Sequence, residues 1–141
     1  MIAFLDSSAL AKRYVREPGT DEVLGWMDRH PVVISRLAPV EIASALARLT
    51  REGALTREAA EAAYAALVRD VPYFDVVELS AGVTHRAMAL LREHPLRALD
   101  AIQLASCIEF TQRSGLETTL ITYDRRLAEI ARLEGVLVVP D

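Results

Sequence analysis

What most constrains this chain is a rhythm. Short runs of β-branched and aliphatic residues alternate with longer stretches of helical periodicity, which argues for a parallel sheet covered by helices. Residues 2–5, 32–34, a stretch within 75–79, 118–122 and 136–139 read as five strands. Residues 8–16, 20–28, 56–70, 80–93, 98–113 and 124–133 read as helices, with one more from Pro39 to Gly53. The punctuation agrees with that division. Pro39 suits a first helical turn, and Ile42, Ala45, Leu46 and Leu49 then keep to one helical face. Thr56 and Ser80 are N-cap residues, Pro95 breaks the chain and Gly115 closes a helix. No repeat, low-complexity tract or linker interrupts the 141 residues, a length that fits one domain, and 52% hydrophobic content suffices for one substantial core.

In open α/β sheets ligands bind beyond the carboxyl ends of the strands, so acids that fall there are the most informative. Asp6 directly follows the first strand, and Asp124 lies just past the fourth, in Ile121-Thr122-Tyr123-Asp124. Glu41 sits in the first turn of the helix after the second strand, and Asp100 opens the helix that precedes the fourth. Right-handed crossovers bring these ends to one edge. Each acid alone has a plainer reading: Asp6 and Asp124 as N-caps, Glu41 and Asp100 as first-turn acids favoured by the helix dipole. Together they say more. Two unit charges about 4 Å apart repel by about 4 kcal/mol at an effective dielectric of roughly 20, so four carboxylates at one edge raise each other's pKa or recruit a cation. Anionic, oxygen-only ligands suit Mg²⁺ or Mn²⁺. His30, His85 and His94 stand near helix ends at no ligand spacing and read as surface or capping residues, so nothing points to zinc.

Composition narrows the remaining classes. A net charge of -4 argues against a generic nucleic-acid binder, so any such contact must rest on local arginines or bound cations. Lys12 is the only lysine among 16 basic residues. Arg97, Arg125 and Arg126 flank the acids with planar groups that suit phosphate, and Lys12, Arg13 and Arg16 form a second track; solvated helix faces are the competing reading. Tyr123 offers a ring for base stacking or for packing. The single cysteine, Cys107, allows no intramolecular disulfide and fits a reducing, cytoplasmic setting. No apolar run is long enough to span a bilayer, and the first residues lack the basic leader of a signal peptide.

Four segments, in order and at consistent spacing, carry a family resemblance. Phe4-Leu5-Asp6-Ser7-Ser8-Ala9-Leu10-Ala11-Lys12, Pro39-Val40-Glu41, Leu96-Arg97-Ala98-Leu99-Asp100-Ala101 and Leu120-Ile121-Thr122-Tyr123-Asp124-Arg125-Arg126-Leu127 together resemble the PIN domain, and more closely the VapC-type toxins of bacterial toxin–antitoxin pairs. The resemblance covers the whole chain. It implies a three-layer α/β/α sandwich with a parallel sheet of about five strands. It also implies cleavage of single-stranded RNA with Mg²⁺ or Mn²⁺, a VapB-like antitoxin that blocks the site, and a homodimer. By residue, Asp6 and Asp100 match the principal metal ligands and Glu41 and Asp124 the remaining acids. Ser8 and Thr122 match polar positions that hydrogen-bond ligands or water nearby.

Hydrolysis by metal-held water needs no nucleophilic side chain, so the lack of a Ser–His or Cys–His pair is expected, and Ser7 and Ser8 read as helix-start residues. Two other enzyme or signalling folds place acids at strand ends. A haloacid-dehalogenase-type phosphatase needs a second Asp two residues after the first, where this chain has Ser8. A phosphoacceptor receiver domain pairs early acids with a late Lys, and the only Lys here is early. The rival of a different class is a PIN-like module that binds RNA or protein without cutting. The Ala- and Leu-rich helices over 42–68 are open to three readings: an antitoxin seat, a face for a second copy, or ordinary core.

Overall fold

Strand β1 (Ile2–Leu5) opens the chain at the centre of the molecule, with all four residues buried. The computed structural model describes residues Met1–Asp141. In it β1 pairs with β2 (Val32–Ser35) on one side and β4 (Thr118–Ile121) on the other, while β3 (Asp75–Val77) and β5 (Leu137–Val139) form the edges. Every pairing is parallel, in the order β3-β2-β1-β4-β5. Parallel strands covered on both faces need apolar side chains on both. Accordingly β1, β2 and β4 are buried throughout, whereas the three-residue edges are partly exposed.

Alternation along the strands sorts the core into two layers. Ile2, Phe4, Val33 and Leu120 face one way, against α5 (Ala81–Glu93), α6 (Ala98–Ser114) and α7 (Arg125–Leu133), through Val83, Leu90, Leu104, Leu127 and Ile130. Ala3, Leu5, Ile34 and Ile121 face the other way, against α1 (Ser7–Tyr14), α2 (Thr20–Arg29), α3 (Ala38–Arg51) and α4 (Arg57–Asp70), through Leu10, Val23, Ile42, Leu46 and Leu67. The three-layer α/β/α sandwich and its five parallel strands are those expected. No helix is long and apolar enough to cross a membrane.

Element boundaries depart from the sequence reading by one to a few residues, for local reasons. Asp6 is itself the cap of α1, so that helix starts at Ser7; it stops at Tyr14 because Val15 is already extended (φ -127, ψ 118). Behind α4, Val71–Tyr73 form a 3₁₀ turn that the sequence reading lacked. Pro72 has no N–H with which to prolong the α-helix.

The strand order carries the consequence for function. From β1 the chain winds outward through β2 to β3, then returns across the sheet to β4 and continues outward to β5. The reversal falls between β1 and β4. Beyond their carboxyl ends the connections diverge to opposite faces and leave a crevice. The residues that follow those two strands begin at Asp6 and Thr122.

Candidate active site

Asp6 is 3% exposed and accepts three hydrogen bonds. Its Oδ1 accepts from the Ala9 amide at 2.9 Å and from Ser8 Oγ at 2.7 Å, and its Oδ2 accepts from Thr122 Oγ1 at 2.5 Å. Ser8 Oγ accepts in turn from the Tyr123 amide at 2.9 Å, and Thr122 Oγ1 from the Asp124 amide at 3.1 Å. Two short loops, 116 residues apart in sequence between Asp6 and Thr122, are thus laced together around one carboxylate. Ser8 and Thr122 thus both donate to the Asp6 carboxylate.

The other acids arrive on three helices. Asp124 caps α7, its Oδ1 accepting from the Leu127 amide at 3.0 Å. Asp100 and Glu41 lie in the first turns of α6 and α3. The plainer reading of Asp6 and Asp124 as N-caps is therefore correct as geometry, and it does not remove them from the site. Electrostatics links all four. Burial lifts the Asp6 carboxyl to about 6; hydrogen bonds from Thr122, Ser8 and the Ala9 amide oppose this, and the charge of Asp124 adds to it. Asp100 is raised as well, by burial first and then by Asp124; Arg97 opposes, and Glu41 adds a smaller push.

Cationic side chains do little to offset this charge. The only ion pair to any of the four acids runs from the exposed Arg97 to Asp100, at 3.8 Å. No three of the four bring ligand atoms within 4.8 Å of one another. The set that does so lies elsewhere: Glu93, His94 and Glu134, where His94 Nε2 and Glu134 Oε1 meet at 2.6 Å. His94 is thus a residue at a helix end, as expected, but with a carboxylate partner that its spacing did not announce. For the four acids, buried or half-buried oxygen donors that repel one another and lack a matching cation form a donor set that fits a hard divalent ion.

The basic residues are disposed unevenly. Lys12 is buried, its Nζ 3.1 Å from Glu17 Oε1 and 4.3 Å from the centre of the Tyr123 ring. Tyr123 also donates to Glu22 at 3.0 Å, and its ring packs so close to Gly19 that a Cβ there would lie 2.8 Å away. That tyrosine is built into the wall, as its packing reading held. Arg13 pairs with Asp70 and Arg16 with Asp21. Arg97, Arg125 and Arg126 are exposed beside the acids, Arg126 reaching the Pro95 carbonyl at 3.5 Å.

One site residue escaped the sequence reading. Gln103 is 2% exposed, and its Nε2 donates to Ser7 Oγ and to Glu41 Oε1, each at 2.8 Å. Its one signal was position: a polar residue three after Asp100, on the same helical side, within the otherwise small and apolar stretch Ala101–Cys107.

A parallel α/β sandwich that gathers carboxylates where its strand order reverses defines a class of proteins suited to holding divalent cations beside a substrate. The model of the PIN domain matches residues 3–133, and the chain belongs to the PIN domain family. Ribonuclease VapC46 of Mycobacterium tuberculosis is 36% identical over 138 residues, covering 96% of this chain and 95% of that protein. Among solved structures, FitAcB from Neisseria gonorrhoeae superposes with a TM-score of 0.71 at 18% identity, covering 99% of this chain and 97% of its own. Mycobacterium tuberculosis VapC20, described as a sarcin–ricin loop cleaving toxin, gives 0.65 at 20% identity, over 90% and 93%.

Proposed function

We propose that this chain is a single-domain, Mg²⁺- or Mn²⁺-dependent endoribonuclease that cuts single-stranded RNA and acts as the toxin of a VapBC-type pair. One observation supports the reading: the charges of Asp6, Glu41, Asp100 and Asp124 act on one another near the reversal of the sheet, with Asp6 buried and unpaired by any cation. The names of the full-length relatives support the same activity.

Asp6 and Asp100 would hold the metal, with Glu41 and Asp124 completing the set. When bound, the ion supplies Lewis acidity toward a water and the scissile phosphate. Ser8 and Thr122 fix the Asp6 carboxylate through their hydroxyls, which keeps its orientation independent of substrate. Glu41 or Asp124 would orient the attacking water by accepting a hydrogen bond from its O–H. Arg97, Arg125 and Arg126 grip flanking phosphates with planar donors. Lys12 is committed to Glu17 and Tyr123, and its part in RNA binding is confined to the electrostatic potential of the cleft.

The shape beside the acids supports an antitoxin partner. A cleft of about 630 Å³ runs between α1 and α3, its apolar walls including Ala11, Val15 and Leu49 and one end formed by Ser7, Ser8 and Glu41. It suits an apolar antitoxin segment carrying an arginine into the carboxylates. The exposed Val40, Tyr64 and Val68 of α3 and α4 offer a face for a homodimer; a monomer in sedimentation velocity removes that element. A cytoplasmic setting completes the proposal.

The test is cleavage of single-stranded RNA by antitoxin-free protein with Mg²⁺ or Mn²⁺, beside Asp100→Asn and an EDTA control. Metal-dependent cutting lost in the variant is the expected result. Folded wild type that cuts none of a varied RNA set with either ion would refute it and leave a binding module.

A further inference from the structure

Gln103 is the one buried polar side chain that joins three of the elements carrying the site. It projects from α6, one turn after Asp100. Its single nitrogen donates both hydrogens, one to Ser7 at the start of α1 and one to Glu41 in the first turn of α3. Its carbonyl, Oε1, is buried with no hydrogen-bond partner at all. A core position gains nothing from that carbonyl. An unpaired buried acceptor costs stability, and an apolar side chain of similar volume would remove that cost. The nitrogen is where the benefit lies: it is the only side chain that hydrogen-bonds the Glu41 carboxylate.

We propose that Gln103 is a positioning residue, whose buried amide ties Glu41 to α6 and α1 and so fixes the direction from which that carboxylate meets a divalent cation. The inference rests on the metal-site reading given above. Groups that orient a metal ligand in this way typically change affinity 10–100-fold when removed. A residue kept for the core alone would instead show its loss in stability.

Gln103→Met keeps length and bulk, and removes both the donor and the orphaned carbonyl. The experiment measures Mn²⁺ affinity by calorimetry and metal-free Tm for wild type, Asp100→Asn, Gln103→Met, Glu41→Gln and the Gln103→Met/Glu41→Gln double variant. The expected result is Mn²⁺ binding weakened about tenfold or more in Gln103→Met, with metal-free Tm equal to or above that of wild type. In the Glu41→Gln background the same substitution has no further effect, because the carboxylate it acts through is gone. Two outcomes overturn the proposal: unchanged Mn²⁺ affinity in Gln103→Met, whatever its metal-free Tm, or losses that multiply in the double variant. Failure of the underlying reading has a different signature, namely wild type and Asp100→Asn binding Mn²⁺ equally poorly. That result would sink both readings, whereas a failure confined to Gln103 leaves the difference between wild type and Asp100→Asn intact.

Discussion

Asp6 gives the sharpest quantitative test. Its carboxyl moves from an ordinary 3.8 to about 6 in the folded chain, with burial as the largest cause. The folded state therefore holds this proton more tightly than the unfolded state does. The stability it contributes is fully present below pH 4 and is lost as pH rises through 6. At about 1.4 kcal/mol per pH unit, the ionised carboxylate costs the metal-free fold about 3 kcal/mol at pH 7. Asp6→Asn removes that cost and can keep the contacts. Its oxygen accepts from Ser8 and the Ala9 amide, and its nitrogen donates to Thr122 Oγ1 once that hydroxyl turns its own hydrogen toward Ser8, 3.4 Å away. In EDTA at pH 7 the variant should exceed wild type by up to about 3 kcal/mol, roughly 10 °C in Tm for a chain of this size. The gap should close as pH falls from 7 to 4. Millimolar Mn²⁺ should raise the wild type alone, because binding to the folded state stabilises the charged form that the variant lacks. Differential scanning calorimetry across that pH range reads all three effects. An Asp6→Asn protein less stable than wild type at pH 7 without metal would show that the three hydrogen bonds outweigh burial, and the reasoning would be wrong.

Two further outcomes are expected. Leu104→Ala, at a fully buried position between α6 and the sheet, should cost about 2–5 kcal/mol in urea unfolding while preserving the slope; a loss below 1 kcal/mol would mean that the layer repacks around the hole. A bound antitoxin whose arginine occupies the acids should weaken Mg²⁺ binding to the complex relative to the free chain in calorimetry, and equal affinities would place the antitoxin elsewhere.

The parts of the fold legible in the sequence are those under one-dimensional constraint. β1, β2 and β4 are buried on both faces, so their apolar runs are continuous and hard to misread. The acids were legible because each lies within one turn of a strand end or a helix start, where chain direction alone decides location. What could not be read are contacts whose partners are far apart along the chain. Gln103 meets Glu41 across 62 residues and Ser7 across 96, and His94 meets Glu134 across 40. Local spacing carries no trace of such pairs. Lys12 shows the same limit in reverse. From the sequence Lys12 reads as part of a candidate phosphate track with Arg13 and Arg16, yet a glutamate five residues on and a ring from the loop after β4 draw it inward.

The hydrogen bonds also bound how the acids can act. An ionised carboxylate offers about four lone-pair directions. Asp6 has given two on Oδ1 to Ser8 and Ala9 and one on Oδ2 to Thr122, which leaves one, on Oδ2. Asp124 has given one on Oδ1 to its helix cap, so its Oδ2 is uncommitted. Glu41 has given one on Oε1 to Gln103. Asp6 can thus meet a cation through a single oxygen and in a single direction, whereas Asp124 keeps the freedom to swing. The most buried acid is also the most constrained, and the hydroxyls that constrain it come from the first turn of α1 and from the residue after β4. Rigidity at Asp6 and latitude at Asp124 are properties of the same two loops: the one that turns into α1 spends its carboxylate on the fold, and the one that turns into α7 holds half of its carboxylate in reserve.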